Sequence, residues 1–198
     1  MTSKRHKQTD DDALLDAARD CVLAVGVRRT TLTDIARRAG VSRMTLYRRW
    51  PDVRSIVADL MTREWTGLAV EVSATARHRG TGSARERLVD HLSEGVRSFR
   101  AHPLLRKIVD VDPELLLPYV LQRRGTSQEA FCALLAAGLR AGHADGSVRP
   151  GHPVRQARTL LLIAQSFALS VPTMVDDEHT TDAFDAEFRE ILERVLKP

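Results

Sequence analysis

The sequence has 198 residues, 43% hydrophobic and 28% charged, a balance that excludes low-complexity disorder and collagen-like repeats. An aromatic content of 5% with 11 Gly and 8 Pro favours helices built on Leu, Val and Ala over a β-sandwich. The net charge of +4 is uneven: residues 1–54 carry twelve Lys or Arg against seven Asp, and residues 55–198 eighteen against nineteen acidic residues, so a polyanion-binding end is joined to a nearly neutral body.

In chain order, residues 1–9 are basic (Lys4, Arg5, Lys7) and lack the apolar segment of a signal peptide. They read as a flexible arm, with minor-groove contact as the functional alternative. Asp10, Asp11 and Asp12 predict a helix start, Leu14, Ala18, Cys21, Val22 and Val25 its apolar face, and Gly26 its left-handed stop. Thr31 and Asp34 predict a capping box for a second helix, with Ile35, Ala36 and Ala39 inward and Gly40 at its end. Ser42 caps a third helix expected to run through Trp50 to the stop at Pro51.

A longer helix is expected from Val53, fading into a loop at Arg77–Ser83, and another from Ser83 or Ala84 to Ala101. Pro103 and Pro113 suit helix first turns, Asp112 reads as the cap of the second, and Pro118 is expected to kink or split it. Helices follow at 127–141, 154–171 and 183–196. With no alternating strand pattern, the class is all-α, about nine or ten helices, divided into a basic N-terminal domain over 1–52 and a larger helical domain over 53–198. The longest apolar run, Thr159 to Val171, is interrupted by Gln165, Ser166 and Ser170 and is too short to span a bilayer, so a cytoplasmic protein is expected.

The stretch from Thr30 to Trp50 has the spacing of a helix-turn-helix. Ala36 is small where two helices cross, Gly40 supplies positive φ in the turn, and Val41 and Leu46 pack the second helix on the first. That leaves Arg43, Met44 and Thr45 to face base edges in the major groove. Thr31, Thr33, Ser42, Tyr47, Arg48 and Arg49 are suited to phosphate oxygens.

Thr31, Ile35, Ala36, Ala39-Gly40-Val41-Ser42, Thr45-Leu46-Tyr47 and Trp50 together resemble the DNA-binding domain of the TetR (tetracycline-repressor-like) family over roughly residues 10–60. The resemblance implies a homodimeric, ligand-responsive repressor acting on a near-palindromic double-stranded operator, with 1–52 as its helix-turn-helix DNA-binding domain and 53–198 as its regulatory and dimerisation domain. Two departures stand out. The phosphate-contacting Lys common near the position of Val53 is missing, leaving Arg48, Arg49 or Arg54 to substitute, and Met44 replaces a small residue, placing a thioether against a thymine methyl. In the body, 130–139 and 160–169 are apolar on nearly all sides, which calls for burial on two faces and fits a symmetric helical interface.

The effector is expected to be a mostly apolar small molecule. Trp65, His91, Phe99, Tyr119, Phe131 and Gln165 are its candidate lining residues, each of which also fits an ordinary core or interface position. No metal site or cofactor is expected. Asp176-Asp177-Glu178-His179 reads as a solvated loop, and His143 and His152 lack zinc spacing. No phosphate-binding glycine loop or nucleophile motif supports an enzyme. A ligand-independent architectural DNA-binding protein is the competing function.

Overall fold

A computed structural model describes residues 2–79 and 82–198, and the side chains of 11–74 and 82–198. The described residues are all-α, with no strand. Their helices are α1 (Thr2–Val25), α2 (Leu32–Arg38), α3 (Arg43–Tyr47), α4 (Val53–Arg79), α5 (Ala84–Ala101), α6 (Pro103–Val111), α7 (Leu117–Leu121), α8 (Thr126–Ala144), α9 (Pro153–Ser170) and α10 (Thr181–Leu196). Two 3₁₀ turns, Pro113–Leu115 and Val171–Thr173, complete them. Two compact units form, one from Met1–Glu64 with His102–Arg124, the other from Trp65–Ala101 with Gly125–Pro198. This division differs from the one expected at residues 52 and 53: it falls within α4, where an unbroken helix offers no linker composition to read, and the first unit takes in a later segment of chain.

In the first unit, α1 begins at Thr2, not at Asp10–Asp12, so residues 2–9 are its first turns. Lys, Arg and Gln are good helix formers, and no Gly or Pro interrupts them. The side chains of the expected basic arm lie outside the described residues. The apolar face of α1 is buried at Leu14, Ala18, Cys21 and Val22, whereas Val25 is exposed. Gly26 stops the helix at φ +84°. α1 packs on both α2 and α6, and α6 contributes Leu104, Leu105 and Ile108 to the interior.

The Pro113 segment departs from expectation. Asp112 makes no side-chain capping bond to it. Its carboxylate is fully buried and instead accepts the main-chain N–H groups of Val27 (2.6 Å) and Arg28 (3.3 Å). Pro118 does split the following helix, leaving the 3₁₀ turn at 113–115 and α7 from Leu117.

Charged groups knit the same unit. Glu64 accepts from Arg19 Nε at 3.0 Å and from Arg63 at 2.9 Å, and Arg63 reaches Asp16 at 2.8 Å. His102 Nδ1 accepts the Leu104 N–H at 3.2 Å, capping α6, while its Nε2 lies 3.6 Å from Glu64.

The second unit packs α5, α8, α9 and α10 around Leu88, Val89, Leu92, Leu135, Leu139, Leu160, Phe188 and Leu192. Phe167 lies on Phe188 with ring centroids 4.7 Å apart. Arg100 grips Asp185 with both carboxylate oxygens at 2.7 Å. The helices expected to be apolar all round bury one face each and leave the other open: Ala130, Ala133, Leu134 (53% exposed) and Ala137 on α8, and Leu162 (68%) on α9.

Two glycines with positive φ separate backbone strain from steric conflict. A Cβ on Gly40 (φ +67°) meets nothing within 4 Å, so Gly40→Ala should cost about 1–2 kcal/mol of left-handed strain alone. A Cβ on Gly26 would stand 2.8 Å from both Asp112 Oδ2 and Val111 Cγ1, adding about 1–3 kcal/mol of overpacking. Urea unfolding should therefore rank Gly26→Ala as clearly the more destabilised, and equal midpoints would contradict the packing described.

Candidate nucleic-acid interface

The helix-turn-helix is assembled from local capping. The Thr31 hydroxyl accepts the Asp34 N–H at 3.1 Å and donates to Asp34 Oδ2 at 2.6 Å. The cap is as expected, but the reciprocal half of the box is not. Aspartate is one methylene shorter than the glutamate that reaches back to the cap's main chain, so its carboxylate stops at the hydroxyl and takes Arg37 at 2.8 Å. α2 ends in a Schellman turn: Val41 N–H bonds Ala36 O at 3.0 Å and Gly40 N–H bonds Arg37 O at 3.3 Å, with Gly40 at φ +67°. Ser42 Oγ then accepts the Thr45 N–H at 3.1 Å and starts α3.

α3 is five residues long, shorter than the expected run to Trp50. Pro51 disfavours helical backbone at the residue before it, and the chain leaves α3 through a turn in which the N–H groups of Arg49 and Trp50 both bond Leu46 O at 2.9 Å. Leu46 is fully buried, and Trp50 is buried with its indole N–H donating to Asp59 of α4 at 2.8 Å.

With those two side chains inward, the outward face is fixed. Arg43, Met44 (75% exposed), Tyr47 (45%) and Arg48 are exposed, as are Thr31, Thr33 and Ser42. Thr45 is half-buried, its hydroxyl 2.9 Å from that of Ser42. Arg49 differs from the others: it is half-buried and ion-paired with Asp11 of α1. Arg38 pairs with Asp20 at 3.1 Å, whereas Arg43 and Arg48 form no ion pair among the described residues, and Arg54 is exposed. Sequence reasoning missed the anchors Asp11 and Asp59, because spacings of 38 and nine residues carry no signature of contact.

Residues 14–60 match the model of the bacterial regulatory proteins of the tetR family. The HTH-type transcriptional regulator Mb2274c of Mycobacterium bovis is 42% identical over 153 residues, 77% of each chain. The chain belongs to the TetR family. Its members are transcriptional regulators that bind DNA, not enzymes. Among solved structures, the TetR-family repressor QsdR of R. erythropolis shares the fold with a TM-score of 0.68 at 17% identity, covering 96% of this chain and 97% of QsdR. FadR of Bacillus subtilis in complex with stearoyl-CoA does so at 0.64 and 16%, covering 93% and 98%.

The six candidate lining residues of this TetR-family chain are distributed over both units. Trp65 is buried and meets Phe99 edge-on, centroids 4.7 Å apart. His91 Nδ1 is 2.6 Å from Arg87 O on its own helix. Phe131 and Gln165 are half-buried on α8 and α9, and Tyr119 belongs to the first unit, beneath the Arg123 guanidinium at 5.2 Å. A groove along α10 contains none of them, and its Arg85, Arg189 and Arg194 are paired with Glu193, Asp90 and Glu190. The Asp176 carboxylate accepts the N–H groups of His179 (2.7 Å) and Glu178 (3.0 Å), which hold it below the usual carboxylate range in an exposed loop. No helix of the described residues is long and apolar enough to cross a membrane.

Ser42 allows capping to be separated from phosphate contact. Ser42→Ala should lower stability by about 1 kcal/mol in urea unfolding, whereas Ser42→Asp, which retains a capping acceptor, should remain near wild type. Equal loss in both variants would contradict the capping role.

Proposed function

We propose that this protein is a ligand-responsive repressor that binds a near-palindromic operator as a homodimer. The observation that carries the reading is the outward face of α3, where Arg43 and Arg48 stand exposed beside Met44 and Tyr47 and form no ion pair among the described residues. In this reading Arg43, Met44 and Thr45 contact base edges, with the Met44 thioether against a thymine methyl. Thr31, Thr33, Ser42, Tyr47 and Arg48 contact phosphates. Arg49 reaches a phosphate only by leaving Asp11, which makes Arg48 and exposed Arg54 the better substitutes for the lysine missing near Val53.

The dimer joins the open faces of α8 and α9. Exposed Leu134 and Leu162 with small Ala130, Ala133 and Ala137 support a close helical interface across a twofold axis. Two copies of α3 then enter successive major grooves about 34–36 Å apart. The effector is a mostly apolar small molecule held by the second unit, with the aromatic Trp65–Phe99 pair in its lining. A similar fold holds stearoyl-CoA in FadR of Bacillus subtilis. Effector binding shifts the population of DNA-competent dimers, and a differential energy of about 1–3 kcal/mol changes operator affinity roughly 5–150-fold.

Selection of duplexes from a random pool at about 0.15 M salt should enrich an inverted repeat, and failure to enrich any sequence would remove sequence-specific repression. On the enriched duplex, Arg43→Ala should relax preference at one base pair per half-site, at about 1–3 kcal/mol, while Tyr47→Phe weakens all sequences alike. An unchanged preference with Arg43→Ala would take that residue out of base readout.

A further inference from the structure

Residues 102–124 belong to the same compact unit as the helix-turn-helix, although about forty residues of the other unit separate them from Glu64 in sequence. α6 is fastened to α1 at both ends. At its start, His102 faces Glu64, which Arg19 of α1 holds at 3.0 Å. At its end, the fully buried Asp112 carboxylate accepts the N–H groups of Val27 and Arg28 in the turn between α1 and α2. Neither N–H has a main-chain acceptor among the described residues. The Arg28 guanidinium lies 3.7 Å from the same carboxylate and is held by Glu114 at 2.7 Å. Gly26 is shaped to this arrangement, since any Cβ there would strike Asp112 Oδ2.

The turn itself is tightly closed. Thr30 N–H bonds Val27 O at 3.1 Å, and the buried Thr30 hydroxyl donates to Gly26 O at 2.7 Å. The next residue, Thr31, caps α2. The placement of Val27 and Arg28 therefore fixes where α2 starts and, through the α2–α3 turn, where α3 points.

We propose that Asp112 is a positioning residue for DNA binding: its carboxylate supplies the acceptor that the helix-turn-helix lacks and sets the α1–α2 turn from which the recognition helix is hung. Asp112 touches no DNA in this account. Its effect on affinity is indirect and independent of base sequence. The sign of the effect separates it from long-range electrostatics, because removing a negative charge from a DNA-binding unit by itself strengthens binding to phosphates.

The inference rests on the DNA-binding reading, so the test has one arm without DNA. In full-length Asp112→Asn, the amide facing one of the two N–H groups turns an acceptor into a donor. Hydrogen exchange of residues 26–31 should accelerate about tenfold. Affinity for a duplex enriched from a random pool by the wild-type protein should fall about tenfold, with full active fraction by stoichiometric titration and unchanged base preference. Asp110→Asn, the same charge change at an exposed site two residues earlier, should show neither effect. If Asp112→Asn does not fold, Asp112→Glu keeps the charge, displaces the acceptor by one methylene, and carries the same two readouts. Unchanged exchange in the turn would overturn the proposal. So would unchanged or tighter affinity, or a lower active fraction with an unaltered Kd, which would make Asp112 a folding residue only. Absence of any enriched duplex with the wild-type protein would count against the DNA-binding reading, leaving the exchange arm to judge the clamp.

Discussion

A five-residue helix has no stability of its own. Closing the first helical turn orders several residues for one hydrogen bond, and isolated helices shorter than about twelve residues are marginal even in favourable sequences. α3 exists because its surroundings hold it. Ser42 satisfies an N-terminal N–H, the Schellman turn at Gly40 sets its entry, Leu46 is sunk into the unit, and Trp50 is moored to Asp59. Those four constraints leave a single rotational setting, and that setting turns Arg43, Met44, Tyr47 and Arg48 to solvent. Everything attributed to DNA recognition depends on it.

The local part of this arrangement was legible in the sequence because its signals are local. Gly26 and Gly40 both adopt positive φ, Thr31 and Ser42 both cap, and Pro118 splits its helix. What was not legible is long-range or depends on the reach of a side chain. Asp34 is too short to close a full capping box, Pro51 ends α3 ahead of Trp50, and Arg49 is drawn to Asp11 on a different helix. Asp112 is the sharpest case. Beside Pro113 it has the form of a cap, yet its carboxylate serves main-chain groups 84 and 85 residues away. The unit boundary escaped notice for a related reason, since α4 crosses it without a break.

In the second unit, composition foretold the apolar character of α8 and α9 but not which faces the chain buries for itself. Leu135 and Leu139 join the core with Leu160, while Leu134 and Leu162 are left outside it. Leu134 with Ala130, Ala133 and Ala137 on α8, and Leu162 on α9, are costly to leave in water, which is the physical support for the proposed twofold partner. Trp65 and Phe99 meet, while Tyr119 belongs to the other unit, because an aromatic at helical spacing has the same pattern whether it lines a cavity or fills a core.

Cleaving DNA from α3 itself is the most direct test of whether α3 lies in the major groove of each half-site. Met44→Cys offers an exposed thiol, whereas Cys21 and Cys132 are buried and burial also raises the Cys21 pKa, so an iron chelate attaches selectively at position 44. On a duplex enriched by the wild-type protein, two cleavage clusters are expected about one helical turn apart, related by the symmetry of the site. Scattered cleavage, or a pattern matched by a chelate placed at Asp177→Cys in the exposed loop before α10, would contradict that placement.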